Sequence, residues 1–232
     1  MYDKTLMVYL VLDTSASMYG EPIEALNAGI PPLVEALAQR TAEKGVRLRL
    51  GILEFNTSAR WLTSGPANTV AVDDFCWKPL SAGGMTSMGE AVRQLDSALR
   101  QIRQASGMAP LCRPVVVFLT DGYPTDDWDA AFSSTLRNNH WYRNALKLGI
   151  AFRYADVQML KKLLNPDDRE ELCDESESSD GAVFRASDCA LFDTVDPDRM
   201  VQVLSNNTVA MSLVSASHAP VLPPDYRNYT II

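Results

Sequence analysis

The stretch LMVYLVLDTSAS, residues 6–17, runs seven apolar residues directly into an aspartate and three hydroxyl side chains. An apolar run of this length predicts a strand buried on both faces, as in a parallel sheet covered by helices on each side. Ligands of such sheets bind beyond the carboxyl ends of the strands. The stretch therefore predicts a central strand and, at its end, a loop that carries function.

Further apolar runs predict strands over residues 46–55, 114–120 and 148–154, with a weaker one over 182–184 and an antiparallel edge strand over 60–63. Helical periodicity predicts helices over residues 22–40, 88–102, 126–146, 156–164 and 197–215. Strands that alternate with helices indicate an α/β fold, a Rossmann-like three-layer sandwich with a mostly parallel central sheet and one antiparallel edge strand.

Two of these helices contain residues that predict where a helix is interrupted or begins. The pair Pro31-Pro32 lies in the middle of the first helix and should kink or split it, because proline lacks the N–H group and clashes with the preceding turn. The helix over 126–146 should begin with Asp126 or Thr125 as its N-cap.

The charge of the chain is concentrated in one segment. The 232 residues carry a formal net charge of −8, and the window 167–180 (DDREELCDESESSD) contributes −7 of it. The remainder is therefore nearly neutral. We expect the window to belong to an acidic insert over 166–181, a solvated loop that could serve as a second interaction site.

The composition also bears on the compartment. Four cysteines, at positions 76, 112, 173 and 189, form neither a CxxC motif nor a zinc spacing with histidine. The apolar run of residues 6–12 is too short for a signal sequence or a bilayer span. We expect a cytoplasmic protein with reduced thiols and no membrane insertion.

Three separate loops bring hard oxygen atoms to one edge of the predicted sheet. The first strand leads into Asp13, Ser15 and Ser17, a glycine-rich loop contains Thr86, and the central strand ends at Asp121. Mg²⁺ takes about six oxygen ligands, several of them often water. Two carboxylates and three neutral hydroxyls would leave such an ion able to accept one more anionic oxygen. The pattern therefore predicts a metal site that binds an Asp or Glu of a protein partner.

These motifs resemble the metal-ion-dependent adhesion site of a von Willebrand factor type A domain: Asp-x-Ser-x-Ser, a threonine in a glycine-rich loop, and Thr-Asp-Gly after a central strand. The resemblance implies that fold, with a metal set of Asp13, Ser15, Ser17, Thr86 and Asp121. Mg²⁺ is the expected ion, with Mn²⁺ and Ca²⁺ as other candidates.

The segments 20–27, 84–91 and 120–126 are similar to the bacterial tellurite-resistance branch of that family, the TerY-like proteins. This resemblance implies a cytoplasmic protein of a stress-response module, associated with a Ser/Thr protein kinase and a PP2C-type phosphatase. Met85 stands where the branch usually has glycine. We expect a von Willebrand factor type A domain over 1–217 and a proline-containing tail over 218–232.

The residues that flank the expected ligands are candidates for a partner-binding rim: Met18, Tyr19, Met85, Tyr123 and Trp128. We expect no enzymatic activity. A phosphatase with Asp13 as nucleophile is an alternative, although Ser15 occupies the position of the second aspartate that such enzymes need. A metal-independent scaffold that binds a basic partner through the acidic insert is another. The acid-and-hydroxyl character of the loops disfavours nucleic acid as a partner.

Overall fold

The computed structural model describes residues 4–106, 109–152, 155–167, 182–186 and 188–214, with the backbone alone for 209–214. The predicted tail over 218–232, the domain limit at 217 and nearly all of the acidic insert lie outside these residues. Within the described part of the chain, no helix has the length and apolar character needed to cross a membrane.

A mixed sheet forms the centre of the molecule. The described strands are β1 (Lys4–Asp13), β2 (Val46–Phe55), β3 (Ala59–Trp61), β4 (Val70–Ala71), β5 (Val115–Thr120), β6 (Leu146–Ala151), β7 (Ala182–Ala186) and β8 (Cys189–Asp193). They follow the order β3-β2-β1-β5-β6-β8-β7, with β4 also paired to β2. The pairs among β2, β1, β5, β6 and β8 are parallel, whereas β3, β4 and β7 pair in the antiparallel sense.

Helices cover both faces of the sheet. They are α1 (Glu21–Glu43), α2 (Met88–Arg100), α3 (Ile102–Ala105), α4 (Trp128–Ser134), α5 (His140–Arg143), α6 (Val157–Leu164) and α7 (Pro197–Val214). Short 3₁₀ turns span Ala16–Met18, Pro66–Asn68, Val72–Asp74 and Leu136–Asn138.

Strand β1 supplies side chains to both hydrophobic cores, as a strand buried on two faces must. Its even-numbered residues from 6 to 12 pack with α1 and α7, and its odd-numbered residues from 7 to 11 pack with α2 to α6. The predicted α/β sandwich is therefore confirmed. Strands β2 and β3 lie on one side of β1, and the later strands β5, β6, β8 and β7 lie on the other side, so the strand order reverses at β1. The carboxyl ends of β1 and β5 thus meet at the switch point where such sheets bind ligands.

The structure differs from the sequence-based prediction in the region 126–146. The single helix predicted there is divided into α4, a 3₁₀ turn and α5, because Thr135 leaves the helical conformation. Asn139 starts a new helix instead: its side-chain oxygen accepts hydrogen bonds from the backbone N–H groups of Trp141 and Tyr142. Its amide group donates to Asp96 on α2 over 2.8 Å.

Two further differences concern prolines and strands. Helix α1 runs through Pro31 and Pro32 without division, and both prolines are exposed. Each proline leaves the carbonyl group four residues earlier without its helical hydrogen bond, but the helix continues through both. The weak strand over 182–184 is observed as β7, but the parallel neighbour of β6 is β8, which the sequence analysis missed.

The contact between β1 and β2 gives a test of the fold. Gly51 lies opposite Tyr9, and a Cβ atom at Gly51 would come within 2.6 Å of the Tyr9 ring, which is fully buried. We expect Gly51→Ala to lower the free energy of unfolding by about 1–3 kcal/mol, because the ring has no room to move. Gly83→Ala is the control, since nothing lies within 4 Å of its Cβ position. Equilibrium unfolding in urea measures both, and equal stability of the two variants would contradict the packing.

Candidate metal centre

Asp13 is the buried end of β1 and both of its oxygens accept hydrogen bonds. The backbone N–H of Ser15 donates to Oδ1 over 2.8 Å, and the Thr120 hydroxyl donates to Oδ2 over 2.5 Å. Thr120 is the last residue of β5, so this bond joins the carboxyl ends of the two central strands. Strand pairing thereby fixes the direction in which the Asp13 carboxylate points.

A chain of hydroxyl groups connects the first loop to the Asp121 loop. The Ser15 and Ser17 Oγ atoms lie 3.0 Å apart, within hydrogen-bond distance, and the Ser17 hydroxyl donates to Asp121 Oδ1 over 2.9 Å. Ser15 is buried, whereas Ser17 is exposed and Asp121 is half-buried. This series of hydrogen-bonded side chains thus leads from the buried Ser15 to the solvent-exposed Ser17 and to Asp121.

Thr86 approaches from the glycine-rich loop and is held by Thr125. The backbone N–H of Thr86 donates to the Thr125 hydroxyl over 3.1 Å, and the backbone N–H of Thr125 donates to the Thr86 carbonyl over 2.9 Å. Thr86 is itself buried, which fixes its side chain as well as its backbone. The second and third loops are therefore joined through these two residues.

Gly122 marks the point on which the three loops converge. A Cβ atom built there would lie 3.3 Å from Ser17 Oγ, 3.5 Å from Asp13 Oδ2 and 3.5 Å from Thr86 Oγ1. Oxygens from the first loop and the glycine-rich loop thus surround a space beside Gly122 of the third loop, which a single methyl group would enter. Such a cradle of carboxylate and hydroxyl oxygens suits a small hard cation, so the residues present fit the metal that the sequence predicts.

The glycine-rich loop is hydrogen-bonded to the first loop and to Thr57. Gly83 N–H donates to the Thr14 carbonyl, and Ala16 N–H donates to the Gly84 carbonyl. Gly84 has a φ of +83°, and its Cβ position is only 2.4 Å from Thr57 Oγ1, so no other residue fits there without rearrangement. Thr57 in turn accepts a hydrogen bond from the backbone N–H of Met85. The bonds of this loop place Thr86 relative to the first loop.

A buried carboxylate that is paired with an exposed arginine lies behind the first loop. The hydroxyl of Thr14 donates to Glu54 Oε1 over 3.0 Å, and Arg60 pairs with Glu54 Oε2 at 2.7 Å. Glu54 is buried, and Arg60 on β3 neutralises it from the solvent side. This arrangement supports Thr14 between Asp13 and Ser15 without adding an uncompensated charge to the site.

Burial dominates the electrostatics of Asp13. Desolvation raises the pKa of Asp13 from its ordinary 3.8 to about 6, although the hydrogen bonds from Thr120 and Ser15 lower it, and the nearby charge of Asp121 raises it further. A cation between the two carboxylates would compensate this cost. The described residues contain no group of three or more His, Cys, Asp or Glu side chains arranged around a metal, so hydroxyl oxygens have to complete any cation site here.

The predicted rim residues separate into two groups. Tyr19, Met85 and Tyr123 are 79 %, 55 % and 62 % exposed. Met18 is fully buried in the core under α1, because the 3₁₀ turn over Ala16–Met18 directs it inward; its assignment to the rim is wrong. Trp128 is half-buried against Phe132 and packs with the core on the opposite face of the sheet.

Sequence reasoning missed several residues that hold this site together: Thr14, Glu54, Thr57, Arg60, Thr120, Thr125 and Asp126. Thr125 and Asp126 were expected to cap the following helix. That helix begins at Trp128 and is capped by Asp127, whose side chain accepts from Ala130 N–H. The run of three polar residues before Trp128 was the available signal, but sequence alone does not say which helix each one caps.

The family model of the von Willebrand factor type A domain matches residues 8–197 of the chain. Among solved structures, a von Willebrand factor type A protein from Catenulispora acidiphila has 14 % identity and a TM-score of 0.55, over 88 % of this chain and 42 % of that one. The PilB minor pilin from Streptococcus sanguinis has 12 % identity and a TM-score of 0.57, and the match covers 90 % of this chain and 61 % of the pilin chain.

BatB from Bacteroides thetaiotaomicron has 12 % identity and a TM-score of 0.55, over 90 % of this chain and 99 % of that one. At these identities the likeness concerns the fold alone. The chain spans less than two thirds of the length of the first two structures. No curated protein sequence matches significantly.

The raised pKa of Asp13 predicts how stability depends on pH without metal. Because its folded pKa of about 6 exceeds 3.8, the fold favours the protonated form, and stability falls as pH rises through this window. In chelator at pH 8, we expect Asp13→Asn to be more stable than wild type by about 1–3 kcal/mol. The gain should vanish below pH 4.

Urea unfolding at several pH values measures this difference. Asp73→Asn, at an exposed position in the 3₁₀ turn after β4, is the control and should show no such gain. An Asp13→Asn protein that is less stable than wild type at pH 8 in chelator would contradict the electrostatic argument.

Proposed function

The chain belongs to the von Willebrand factor type A domain family, and from that premise we propose that it is a Mg²⁺-dependent protein-interaction module. Domains of this family commonly serve as protein-interaction modules. In this proposal, the ion is held at the junction of the three loops, and a partner protein supplies an Asp or Glu carboxylate to it. Mn²⁺ and Ca²⁺ are the other candidate ions.

The observation that carries the proposal is the convergence of three loops on the space beside Gly122. Ser15, Ser17 and Thr86 offer neutral hydroxyl oxygens, and Asp13 and Asp121 offer carboxylates to the ion or to its bound water. Bound here, the ion would supply an electrophilic centre for an anionic oxygen. The two carboxylates balance its charge, so one further acidic side chain is the natural addition.

The exposed apolar side chains around the site support a protein as the partner. Among the described residues, four large hydrophobic side chains are exposed: Tyr19, Leu62, Met85 and Tyr123. Three of the four lie within two residues of a proposed ligand, one on each loop. Aromatic residues and methionine are enriched in protein interfaces. We therefore propose that Tyr19, Met85 and Tyr123 form the rim against which the partner packs.

The biological setting rests on the resemblance of residues 20–27, 84–91 and 120–126 to the TerY-like branch. We propose on that basis a bacterial stress-response, tellurite-resistance or defence role in the cytoplasm, with a Ser/Thr protein kinase and a PP2C-type phosphatase as candidate partners. The thiols of Cys76 and Cys112 form no disulfide, which supports a reducing compartment.

Enzymatic activity is not part of the proposal. Asp13 is fully buried and each of its oxygens accepts a hydrogen bond, an arrangement that suits orienting a ligand more than attacking a phosphorus atom. The second alternative, a metal-independent scaffold, would act through the acidic insert. Of that insert, residues 166 and 167 are described, and the Asp167 carboxylate pairs with Arg143 over 3.0 Å.

Titration with Mg²⁺ tests the proposal. We expect calorimetric binding and a rise in melting temperature of about 5–10 °C at a hundredfold excess over Kd. Asp121→Ala should lose both effects because it removes a carboxylate from the site. Gly122→Ala should lose them because its methyl group enters the cradle. Asp73→Ala, the matched charge control, should bind as wild type does. Absence of heat and of a thermal shift in wild type would overturn the metal site.

The partner-binding half of the proposal needs its own measurement. Capture of proteins from the source cell by immobilised wild type should depend on Mg²⁺, be reversed by chelator, and fail with Gly122→Ala. A partner retained equally in chelator would favour the scaffold alternative. Turnover of an aryl phosphate that disappears in Asp13→Asn would favour the phosphatase.

A further inference from the structure

Helix α2, which follows Thr86 directly, begins without a cap from its own sequence. Ser87 occupies the N-cap position but makes no side-chain cap, because its hydroxyl donates to the Thr57 carbonyl over 3.0 Å. The first N–H groups of a helix have no partners within it. Here the N–H groups of Gly89 and Glu90 donate to the two carboxylate oxygens of Asp126, over 3.0 and 3.3 Å.

The neighbourhood of Gly89 is built for this contact. A Cβ atom at Gly89 would lie 2.7 Å from Asp126 Oδ2 and 3.1 Å from Trp128 Cα. A glycine in the first turn of a helix costs stability relative to alanine. In this position, however, its lack of a side chain lets the Asp126 carboxylate come close to the helix end. The third loop and the start of α2 are therefore fitted to each other.

Asp126 and its neighbour Thr125 together fix both sides of Thr86. Thr125 exchanges two hydrogen bonds with the Thr86 backbone, and Asp126 holds the helix that starts two residues later. The same loop begins with Asp121 and Gly122. One seven-residue segment thus carries one proposed ligand and determines where another lies.

We propose that Asp126 is a positioning residue of the metal site, which acts through Thr86 by fixing the start of α2 against the Asp121 loop. The inference rests on the proposed metal site. Asp126 is not a ligand, because both of its oxygens are used by α2. Its negative charge also matches the positive end of the helix dipole. Loss of this cap lets the Thr86 hydroxyl move away from the oxygens of Asp13 and Ser17.

The adjacent residue provides a matched control. Asp127 carries the same charge one position later and caps α4, where its side chain accepts from Ala130 N–H over 3.2 Å. Substitution of either aspartate removes one charge from the same loop and one helix cap. Of these two aspartates, the hydrogen bonds of Asp126 reach α2, the helix that follows Thr86, and the cap bond of Asp127 stays within α4.

The experiment measures Mn²⁺ and Mg²⁺ affinity of the full chain by calorimetry and Mn²⁺ electron paramagnetic resonance, well below the melting temperature of every variant. We expect Asp126→Ala to weaken Kd about 10-fold or more, as removal of a group that supports a ligand does. Asp126→Asn keeps one acceptor oxygen, so we expect its Kd to lie between those of wild type and Asp126→Ala. It is the variant to measure if Asp126→Ala does not fold. Asp127→Ala should stay within about 2-fold of wild type, because it removes no support of a ligand.

A double-mutant cycle identifies the route of the effect. If Asp126 acts through Thr86, then Asp126→Ala should have little further effect on Kd in a Thr86→Val background. Equal losses in the Asp126 and Asp127 variants would overturn the inference, as would a lower melting temperature with unchanged Kd. Failure of the proposed metal site itself is distinguishable, since wild type would then show no metal binding at all.

Discussion

The hydrogen bond between the Asp13 carboxylate and the Thr120 hydroxyl joins the ends of β1 and β5 at the switch point of the sheet. A carboxylate buried there is costly, and its raised pKa expresses that cost. The surrounding loops are organised around it: Ser15 donates to it, and Ser17 and Thr86 lie beside it. The fold therefore holds an energetically unfavourable group at the point where a cation would be most useful.

The central strands, and the proximity of the five residues proposed as ligands, could be predicted from sequence because they follow from local patterns and from the order of strands in a parallel sheet. An apolar run and the hydroxyls after it remain adjacent in any parallel sheet, so Asp13, Ser15 and Ser17 could be placed together. The inward turn of Met18 could not be predicted. The apolar character of a residue beside a polar loop does not tell whether it packs into the core or faces a partner.

Helix capping between loops was the other feature that sequence could not supply. Thr125, Asp126 and Asp127 are all residue types that favour N-caps, and the sequence pattern assigns Asp126 or Thr125 to the helix that follows. In the structure, Asp127 caps the local helix and Asp126 caps α2, more than 30 residues earlier in the chain. Such a contact depends on the packing of two helices and has no signature in either segment alone. The same limit explains β8, whose pairing is set by its distant neighbour β6.

The edges of the sheet have a consequence for how the protein behaves at high concentration. One edge ends in β3 and β4, of three and two residues, and the other in the antiparallel β7, whose pairing with β8 shifts register between Ala182 and Phe184. Short or irregular edge strands offer poor templates for pairing with another chain. Both edges of the sheet are therefore poorly suited to edge-to-edge pairing, and crowding of the protein should not by itself extend the sheet from one molecule to the next.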